Sequence, residues 1–543
     1  MADTQDVFNQ SPPFVDVDLY ATDRPLQEAV TANGGTAPPE VLSAFGRHWG
    51  SAEMFEQARL ANEYPPKLKT YDPKGRRLDV LEFHPAYHRF MAESMKAGLH
   101  DMTWRADGAR APAPAEVARA ARYYMVAQVE NGHMCPITMT RAAVGALAAE
   151  PALLAALMPK IASHDYDPSF RPWHQKSAIT IGMGMTEKQG GTDVRANTSR
   201  ATPSADGYVI NGHKWFMSAP MCDGFLVLAQ AAGGLTCFFM PRFRPDGSVN
   251  GLRLQRLKDK LGNKSNASSE VEFADAFALR VGAEGAGIRT IIEMVQLTRL
   301  DCAIASAGLM RMGLAQALNH ARHRTAFQKK LADQPLMRTV LADMALTMEG
   351  IVALTMRLAR AFDRAASDPR EAAYARLMTP VVKYWVCKKA PAFIYEAMEC
   401  LGGNGYVEES ILPRLYREAP VNAIWEGSGN VMCLDALRAL SRDGETAQMV
   451  FDELASGGRD LPGSAETASR IAKSLSGAEA EAHARLGVEQ LALLAAGAAL
   501  RAQAPAELAI AFAQANLAQP RGATFGSVTI AKPEAILTRA LPP

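Results

Sequence analysis

The chain has 543 residues, with 58 Lys and Arg against 57 Asp and Glu, so its formal net charge is +1. A balance this close to neutral excludes a basic nucleic-acid coat and an acidic disordered tail. The seven cysteines include no C-x-x-C pair, which argues against a zinc ribbon or redox dithiol and favours buried, reduced thiols.

The beginning of the chain has the composition of a surface arm. MADTQDVFNQSPP contains Asp3 and Asp6 and no apolar core, so it does not resemble a signal peptide. The richest apolar stretch, residues 491–500, is far shorter than the 18 or so residues of a membrane span. We therefore expect a soluble, cytoplasmic protein without a membrane partner, whose first 40 residues form an irregular arm.

Hydrophobic patterning predicts helices first and strands next. Residues 40–165 have helical periodicity and alanine-rich composition. From 181 to 281 the segments are typical of strands, and Asn211-Gly212 between two β-rich runs predicts a hairpin. A second hairpin is predicted at Gly233-Gly234. These turns indicate a small antiparallel β domain.

The helical period returns after residue 287. Apolar residues recur every three or four positions from Met337 to Phe362, which predicts a long amphipathic helix. Further long segments of this kind indicate a helix bundle. Residues 445–543 are rich in Ala and Leu and predict a helical extension. The expected domains are 1–180 (arm and helices), 181–282 (β domain), 283–444 (bundle) and 445–543 (extension).

Four segments contain residue types suited to a flavin or a diphosphate, and a fifth contains a candidate catalytic carboxylate. They are MGMTEKQGGTDV (183–194), HKWFMSAP (213–220), ARHRTAFQKKLADQP (321–335), MECLGGNGYVEES (398–410) and RLYREAPVNAIWEGSGNVM (414–432). Glycine-rich loops expose N–H groups that can cradle a phosphate, and residues 311–330 have five positive and no negative charges. Each segment alone also has a structural interpretation: a core aromatic strand, a solvated basic helix end or a surface carboxylate.

In this order, the five segments resemble those of acyl-CoA dehydrogenases. The resemblance implies FAD as the cofactor and an α+β fold with an N-terminal helical domain, a middle antiparallel β domain and a C-terminal four-helix bundle, followed here by the helical extension. It also implies a homotetramer in which neighbouring subunits complete each flavin site. No metal site is expected.

The resemblance assigns FAD contacts residue by residue. The matching positions are Met183, Met185, Thr186, Gly191, Thr192, Phe216, Met217, Ser218, Arg324, Phe327, Gln334, Glu399, Gly402, Gly403, Trp425, Gly427, Ser428 and Asn430. In the family, Phe216 would lie against the isoalloxazine ring, Ser218 near its reactive nitrogen and Arg324 at the diphosphate. Thr192, Gln328 and Glu399 replace the serine, glycine and glutamine that are usual there.

Glu426, in the segment Trp425-Glu426-Gly427-Ser428, matches the catalytic base of many family members. A carboxylate suits abstraction of an α-proton from an acyl-CoA thioester while a hydride leaves the β-carbon for the flavin. The resemblance thus implies α,β-dehydrogenation of an acyl-CoA. Trp425, bulkier than the usual tyrosine, would narrow the acyl cavity, and a plugged cavity would favour a binding function instead.

Further segments narrow the resemblance to the AidB-type branch of the family, associated with the adaptive response to DNA alkylation. They are VFNQ (7–10), CPITMT (135–140), RLKDKLGNKSNAS (256–268) and IWEGSGNVMCLD (424–435). This branch implies double-stranded DNA as a partner of the C-terminal region. Residues 445–543, however, contain eight positive and ten negative residues, a net charge of −2, which does not favour phosphate binding. A stress-response protein that binds DNA or protein is the alternative to an enzyme.

Overall fold

Helices make up most of the structure. The computed structural model describes residues 5–442, 444–519, 522–525, 527 and 530–542. In chain order its α-helices are α1 (Arg24–Ala32), α2 (Pro39–Trp49), α3 (Ala52–Glu63), α4 (Pro85–Lys96), α5 (Ala115–Ala127), α6 (Met134–Leu147), α7 (Pro151–Ile161), α8 (Gly287–His323), α9 (Pro335–Arg364), α10 (Pro369–Leu401), α11 (Gly403–Tyr406), α12 (Leu412–Asn422), α13 (Gly429–Arg442), α14 (Gly444–Gly458), α15 (Ser464–Ser474), α16 (Ala480–Gln503), α17 (Ala506–Ala513) and α18 (Pro533–Ala540).

The strands form one large sheet and two small ones. They are β1 (Lys67–Tyr71), β2 (Arg77–Glu82), β3 (Ile181–Thr186), β4 (Arg200–Ser204), β5 (Gly207–Ser218), β6 (Gly224–Ala231), β7 (Gly234–Pro241), β8 (Leu252–Leu257), β9 (Ser268–Val281), β10 (Thr325–Ala326) and β11 (Lys329–Lys330). The seven-stranded sheet has the order β3-β5-β4-β6-β7-β9-β8, with further pairings β3–β6 and β5–β9. The remaining strands form the hairpins β1–β2 and β10–β11.

Contacts divide the chain into two compact units. The helical unit consists of Met1–Phe55, Ala113–Val129 and Arg299–Pro543. The sheet unit consists of Glu56–Pro112 and Glu130–Thr298 and contains the whole large sheet. Helix α8 begins in the sheet unit and ends in the helical unit.

The long helices of the helical unit follow from apolar periodicity. Helix α9 begins at Pro335, a residue whose fixed φ and missing N–H suit the first helical position, and Leu341, Met344 and Leu358 are buried along it. The long helix predicted over residues 337–362 is therefore confirmed. By length and composition α9 could cross a membrane, with a mean hydropathy of 1.4 over its apolar window, but 89% of that window is buried within the fold. Buried core helices of soluble proteins can have the same length and hydropathy, so these two properties alone do not indicate a membrane span.

The β-domain prediction needs two corrections. Asn211 and Gly212 do not form a hairpin turn, because both lie inside the continuous strand β5, where the pairing with β9 is irregular between Ile210 and Gly212. The chain reverses before β5 instead, where Ser204 of β4 pairs with Gly207. The sheet is also not purely antiparallel, since β3 pairs in parallel with β6. The hairpin predicted at Gly233-Gly234 is confirmed by the antiparallel pairing of β6 and β7.

The predicted helical extension is confirmed by α14–α18, and its last helix is fastened by ion pairs. Arg539 of α18 forms ion pairs with Glu28 and with the buried Glu349, at 2.9 Å for the latter. Arg311 of α8 donates to the carbonyl of Ala540 and pairs with the buried Asp23 at 2.9 Å. Arg311, which belongs to the basic segment 311–330, is therefore engaged in holding the chain ends together.

Candidate functional site

Two of the motif segments lie side by side in the sheet unit because β3 and β5 are neighbouring antiparallel strands. Their ladder pairs Met183 with Ser218 and Thr186 with Phe216, and the register shifts between Gly184 and Thr186. Neighbouring strands lie about 4.8 Å apart. The sheet therefore brings together two segments that are more than twenty residues apart in sequence.

In the second segment, the side chains of residues 216–218 alternate between the surface and the interior. Phe216 is 48% exposed and Ser218 is half-buried, whereas the Met217 side chain between them is fully buried. Since successive side chains of a strand point to opposite faces, Met217 offers only backbone atoms to a ligand on the Phe216 face. Met183 and Met185 are half-buried on the neighbouring strand.

The loop after β3 passes closely over Thr186. A Cβ atom added to Gly191 would lie 2.3 Å from the Thr186 hydroxyl oxygen, so only glycine fits there. Thr186 is half-buried, and Thr192 is exposed. Backbone N–H groups and two threonine hydroxyls thus line this part of the loop, a donor set that suits a phosphate or the polar edge of a ring.

A buried ion pair joins the same two segments from within. The carboxylate of Glu187 lies 2.8 Å from the ammonium of Lys214, and both side chains are fully buried. Lys214 also donates to the carbonyl of Leu228 at 2.8 Å. The backbone N–H and the hydroxyl of Thr198 both donate to Glu187, at 2.7 and 2.9 Å. Glu187, at the start of the loop between β3 and β4, therefore binds Thr198 near the end of the same loop.

The surroundings of Glu187 keep it ionised. Burial alone would raise the pKa of its carboxyl group, but the hydrogen bonds from Lys214 and from the Thr198 backbone outweigh burial and hold the pKa well below its ordinary value of 4.5. Buried charges are stable only when they are paired and hydrogen-bonded. The Glu187–Lys214 pair meets both conditions.

A lysine lies against the aromatic residues of β5. The Lys258 ammonium is 3.5 Å from the centroid of the Trp215 ring and 4.6 Å from that of Phe216. It also donates to Glu270 at 2.6 Å. These contacts fix the Phe216 ring from one side through cation–π attraction.

In the helical unit, Glu426 lies in a tight turn between α12 and α13. Its φ is 58°, in the left-handed region, and Gly427 follows with a φ of 108°. A left-handed residue other than glycine costs about 1–2 kcal/mol, so its surroundings must hold this conformation in place. Strain of this kind concentrates at functional sites.

Two buried cations hold the turn by its carbonyl groups. Arg299 donates to the carbonyl of Glu426 at 3.0 Å, and Lys383 donates to the carbonyl of Gly427 at 2.9 Å. Asp435 accepts from Arg299 at 2.7 Å and from Arg376 at 3.0 Å. Burial raises the pKa of the nearby Cys302 thiol, on which Lys383 and Glu426 act in opposite directions. The backbone of the predicted base is therefore fixed by residues far away in sequence.

We expect Arg299→Met to slow any reaction that depends on Glu426 by about a hundredfold, because a misplacement of about 1 Å has that effect on a catalytic group. The matched control is Arg376→Met, which also removes a partner of Asp435 but does not touch Glu426. The rate of flavin reduction by substrate, measured together with the melting temperature, checks the prediction. Equal rates for the two variants would contradict a positioning role of Arg299.

The basic segment 311–330 begins in α8 and ends in the hairpin β10–β11. Phe327 and Gln328 form its two-residue turn, both left-handed, with φ values of 50° and 64°. Gln328 thus adopts the conformation for which glycine is usual. Gln334 closes the turn by donating to the Ala326 carbonyl at 3.0 Å. Phe327 is 93% exposed, and its ring has no place in the core of the chain.

The glycine-rich segment turns at Gly402, between α10 and the one-turn helix α11, and its exposed residues 402–404 are here called the glycine loop. Gly402 has a φ of 60°, and Cβ atoms added to Gly402 or Gly403 would have no neighbour within 4 Å. Gly405, in contrast, would clash with the Met398 carbonyl. Glu399 is exposed in the last turn of α10, just before this turn. The first two glycines therefore leave room for another molecule, whereas the third is needed for packing.

The structure groups the predicted residues within each unit. The sheet unit brings together Met183, Met185, Thr186, Gly191, Thr192, Phe216, Met217 and Ser218. In the helical unit, Trp425, Gly427, Ser428 and Asn430 surround Glu426 in sequence, and Ser428 and Asn430 are exposed. The roles of all these residues stay predictions.

Four residues that hold the sites in shape are not predicted by the sequence patterns: Glu187, Lys214, Arg299 and Lys383. Glu187 and Lys214 lie within the motif segments, but the alternation of polar and apolar residues does not predict that these two charged side chains are buried and paired. Arg299 and Lys383 lie in long helices, where a charged residue normally indicates the solvent face. Arg299 and Lys383 differ from such solvent-facing charges because both are buried in the fold.

The chemistry of the residues present fits FAD. The loop at Gly191 supplies N–H groups and hydroxyls, and Phe216 supplies an exposed ring. Within the described residues the guanidinium of Arg324 makes one hydrogen bond, to the carbonyl of Asn9, which leaves four N–H donors for a diphosphate. No group of three or more His, Cys, Asp or Glu that could hold a metal ion occurs in the part of the chain that the structure describes.

Three segments of the chain match known domain families. Residues 9–168 match the adaptive response protein AidB N-terminal domain. Residues 182–276 match the acyl-CoA dehydrogenase middle domain, and residues 285–441 match the acyl-CoA dehydrogenase C-terminal domain.

Whole-chain comparisons agree with these matches. The chain is 49% identical to the AidB protein of Escherichia coli (strain K12) over 519 residues, which cover 95% of this chain and 94% of that one. The crystal structure of Caenorhabditis elegans ACDH-11 in complex with C11-CoA is similar with a TM-score of 0.84 and 26% identity, covering 96% of this chain and 95% of that one. A Bacillus anthracis acyl-CoA dehydrogenase complexed with FAD shares the fold, with a TM-score of 0.63 and 17% identity over 77% of this chain and 76% of that one.

Proposed function

The chain belongs to the acyl-CoA dehydrogenase family, in its AidB-type branch, and from this premise we propose that it catalyses the α,β-dehydrogenation of an acyl-CoA thioester with FAD. The predicted family, the α+β fold class and FAD as the cofactor of the family are confirmed by the matches. The substrate, the base and the residues that contact FAD are proposals.

We propose that the sheet unit holds the flavin ring. Phe216 would lie against the ring and Ser218 would donate to its reactive edge, while the loop at Thr186, Gly191 and Thr192 would bind its polar edge. The Glu187–Lys214 pair supports this proposal, because it fixes both segments relative to each other. FAD, when bound, supplies the acceptor for a hydride.

Glu426 is proposed as the base that removes the α-proton of the thioester. The observation that carries this proposal is its left-handed φ of 58° in a turn held by Arg299 and Lys383. Backbone strain of this kind clusters at active sites, and the turn lies in the segment that matches the family's catalytic glutamate. The complex of the C. elegans relative with C11-CoA supports a thioester as substrate.

The test is anaerobic bleaching of the bound flavin by a panel of acyl-CoAs of increasing chain length. The proposal predicts loss of the oxidised flavin absorbance with at least one member, and formation of the corresponding enoyl-CoA. If the flavin stays oxidised with every thioester but is reduced by dithionite, the proposed activity is wrong.

We further propose a cytoplasmic homotetramer that acts in the response to DNA alkylation. The match to the adaptive response protein AidB N-terminal domain supports the physiological link. The alternative function is that of a stress-response flavoprotein that binds DNA or protein and has little dehydrogenase activity. The exposed Phe327 and the open glycine loop at Gly402 are consistent with contacts to a neighbouring subunit.

The charges of the C-terminal extension lead us to expect little contribution from it to DNA binding. Arg501 pairs with Asp460 at 3.1 Å, and Arg539 pairs with Glu349, so both arginines are engaged within the chain. Arg459 and Lys473 are exposed. If the extension binds phosphates through these two residues, the double variant Arg459→Gln/Lys473→Gln should flatten the slope of log affinity against log salt by about 1.8. We expect an unchanged slope in a salt titration with duplex DNA.

A further inference from the structure

The first 40 residues are not irregular throughout, because they include α1. Residues 5–12 are called the N-terminal arm here, and residues 9–12 of the arm lie along the end of α8 and the hairpin that follows it. The hydroxyl of Ser11 and the ring nitrogen Nδ1 of His320 are 3.1 Å apart. Asn319 donates to the carbonyl of Pro12 at 2.9 Å. The arm is therefore attached to the helical unit by specific polar contacts.

Asn9 forms the tightest part of this attachment. Its side-chain amide donates to the carbonyl of Thr325 at 2.8 Å, and its side-chain oxygen accepts from the N–H of Thr325 at 2.7 Å. These two bonds reproduce the reciprocal pairing of an antiparallel strand at the first residue of the hairpin. Asn9 has a φ of 53°, a conformation that asparagine adopts more readily than most residues.

The same residue holds Arg324. The guanidinium of Arg324 donates to the backbone carbonyl of Asn9 at 2.6 Å, a charge-assisted bond. A free arginine side chain samples many rotamers, and fixing it in advance removes part of the entropy cost of binding an anion. Asn9 therefore restricts the one residue that is expected to meet the FAD diphosphate.

The arm also contacts the glycine loop. The side-chain oxygen of Gln10 accepts from the amide of Asn404 at 3.3 Å. Two consecutive arm residues thus link the hairpin at Arg324 to the loop at Gly402–Gly403.

We propose that Asn9 is a positioning residue for FAD, which holds the Arg324 guanidinium and its hairpin in the arrangement that binds the diphosphate. This inference rests on the proposed function, in which Arg324 binds FAD. It adds a part of the chain, the N-terminal arm, to the cofactor-binding structure.

The test compares the FAD affinity of full-length variants by the recovery of flavin fluorescence when FAD-loaded protein is diluted. Asn9→Gly retains the left-handed backbone and the carbonyl that accepts from Arg324, but removes both bonds to Thr325. We expect its affinity to fall about tenfold, the effect of losing about 1.4 kcal/mol. Val7→Ala, at an arm residue that is 84% exposed, is the control and should leave the affinity unchanged.

Arg324→Ala separates the two claims. If Arg324→Ala weakens FAD binding and Asn9→Gly adds nothing to it in the double variant, Asn9 acts through Arg324 as proposed. If Arg324→Ala weakens binding but Asn9→Gly does not, the arm has no positioning role, and the proposed function stands. If Arg324→Ala binds FAD as tightly as the natural chain, both assignments are wrong. Unchanged melting temperatures at saturating FAD distinguish these effects from loss of folding.

Discussion

Glu426→Gln is expected to slow reduction of the flavin by an acyl-CoA by about 10²–10⁴-fold, the range that a positioned general base contributes. Glutamine has almost the same shape but cannot accept the α-proton. The turn should persist, because Arg299 and Lys383 hold the carbonyls of residues 426 and 427 rather than the side chain. Stopped-flow absorbance under anaerobic conditions measures the rate.

The control for this substitution is Glu409→Gln, at an exposed glutamate of the same unit. Both variants should bind FAD as the natural chain does. If Glu426→Gln reduces its flavin at the natural rate, another group is the base and the assignment is wrong.

Replacing Lys214 by methionine should reduce the free energy of unfolding by about 3–5 kcal/mol, because it leaves the buried carboxylate of Glu187 without a counter-ion. We expect Glu187→Gln to have a similar effect, since it leaves the buried ammonium of Lys214 unpaired. Both changes should also release FAD, because the loop at Thr198 depends on Glu187. Urea unfolding and flavin content measure the two effects.

Acid should reduce the difference in the free energy of unfolding between the natural chain and Glu187→Gln. The folded-state pKa of Glu187 lies below its ordinary value of 4.5, so its stabilising effect is complete above that pH and is lost as the pH falls toward the folded-state pKa. The gap between the natural chain and Glu187→Gln should thus be constant near neutral pH and smaller at about pH 3.5. The control is Lys69→Met, which breaks an exposed pair with Glu82 and should cost about 1 kcal/mol or less. A loss as small as this in Lys214→Met would contradict the account of the buried pair.

The order of helical and strand regions could be predicted because periodicity is a local property. The helix over residues 337–362 and the hairpin at Gly233-Gly234 both follow from neighbouring residues alone. Asn211-Gly212 misled for the same reason: the dipeptide favours a turn locally, but the pairing of β5 with both β4 and β9 keeps the strand continuous. Tertiary pairing overrode the local preference.

The supporting residues of the site could not be predicted from patterns. Simple alternation would place Lys214 on the same face as the exposed Phe216, but the register of β5 against β9 shifts between Lys214 and Met217, and Lys214 becomes buried. Arg299 and Lys383 reach the turn at Glu426 from helices that are distant in sequence. The contact of Asn9 with Arg324 spans more than three hundred residues. Motif similarity is enough to locate the candidate site segments in the sequence. The contacts that fix these segments in place are visible only in the fold.

The most direct test of acyl-CoA dehydrogenation is the rate of flavin bleaching with a thioester labelled by deuterium at the α-carbon, at the β-carbon, or at both. In the proposed reaction Glu426 would remove a proton from the first carbon while the second gives up a hydride, so we predict that either label slows the bleaching and that the effects combine in the doubly labelled substrate. Bleaching that is insensitive to both labels, or an absence of bleaching with every acyl-CoA, would contradict the proposed reaction.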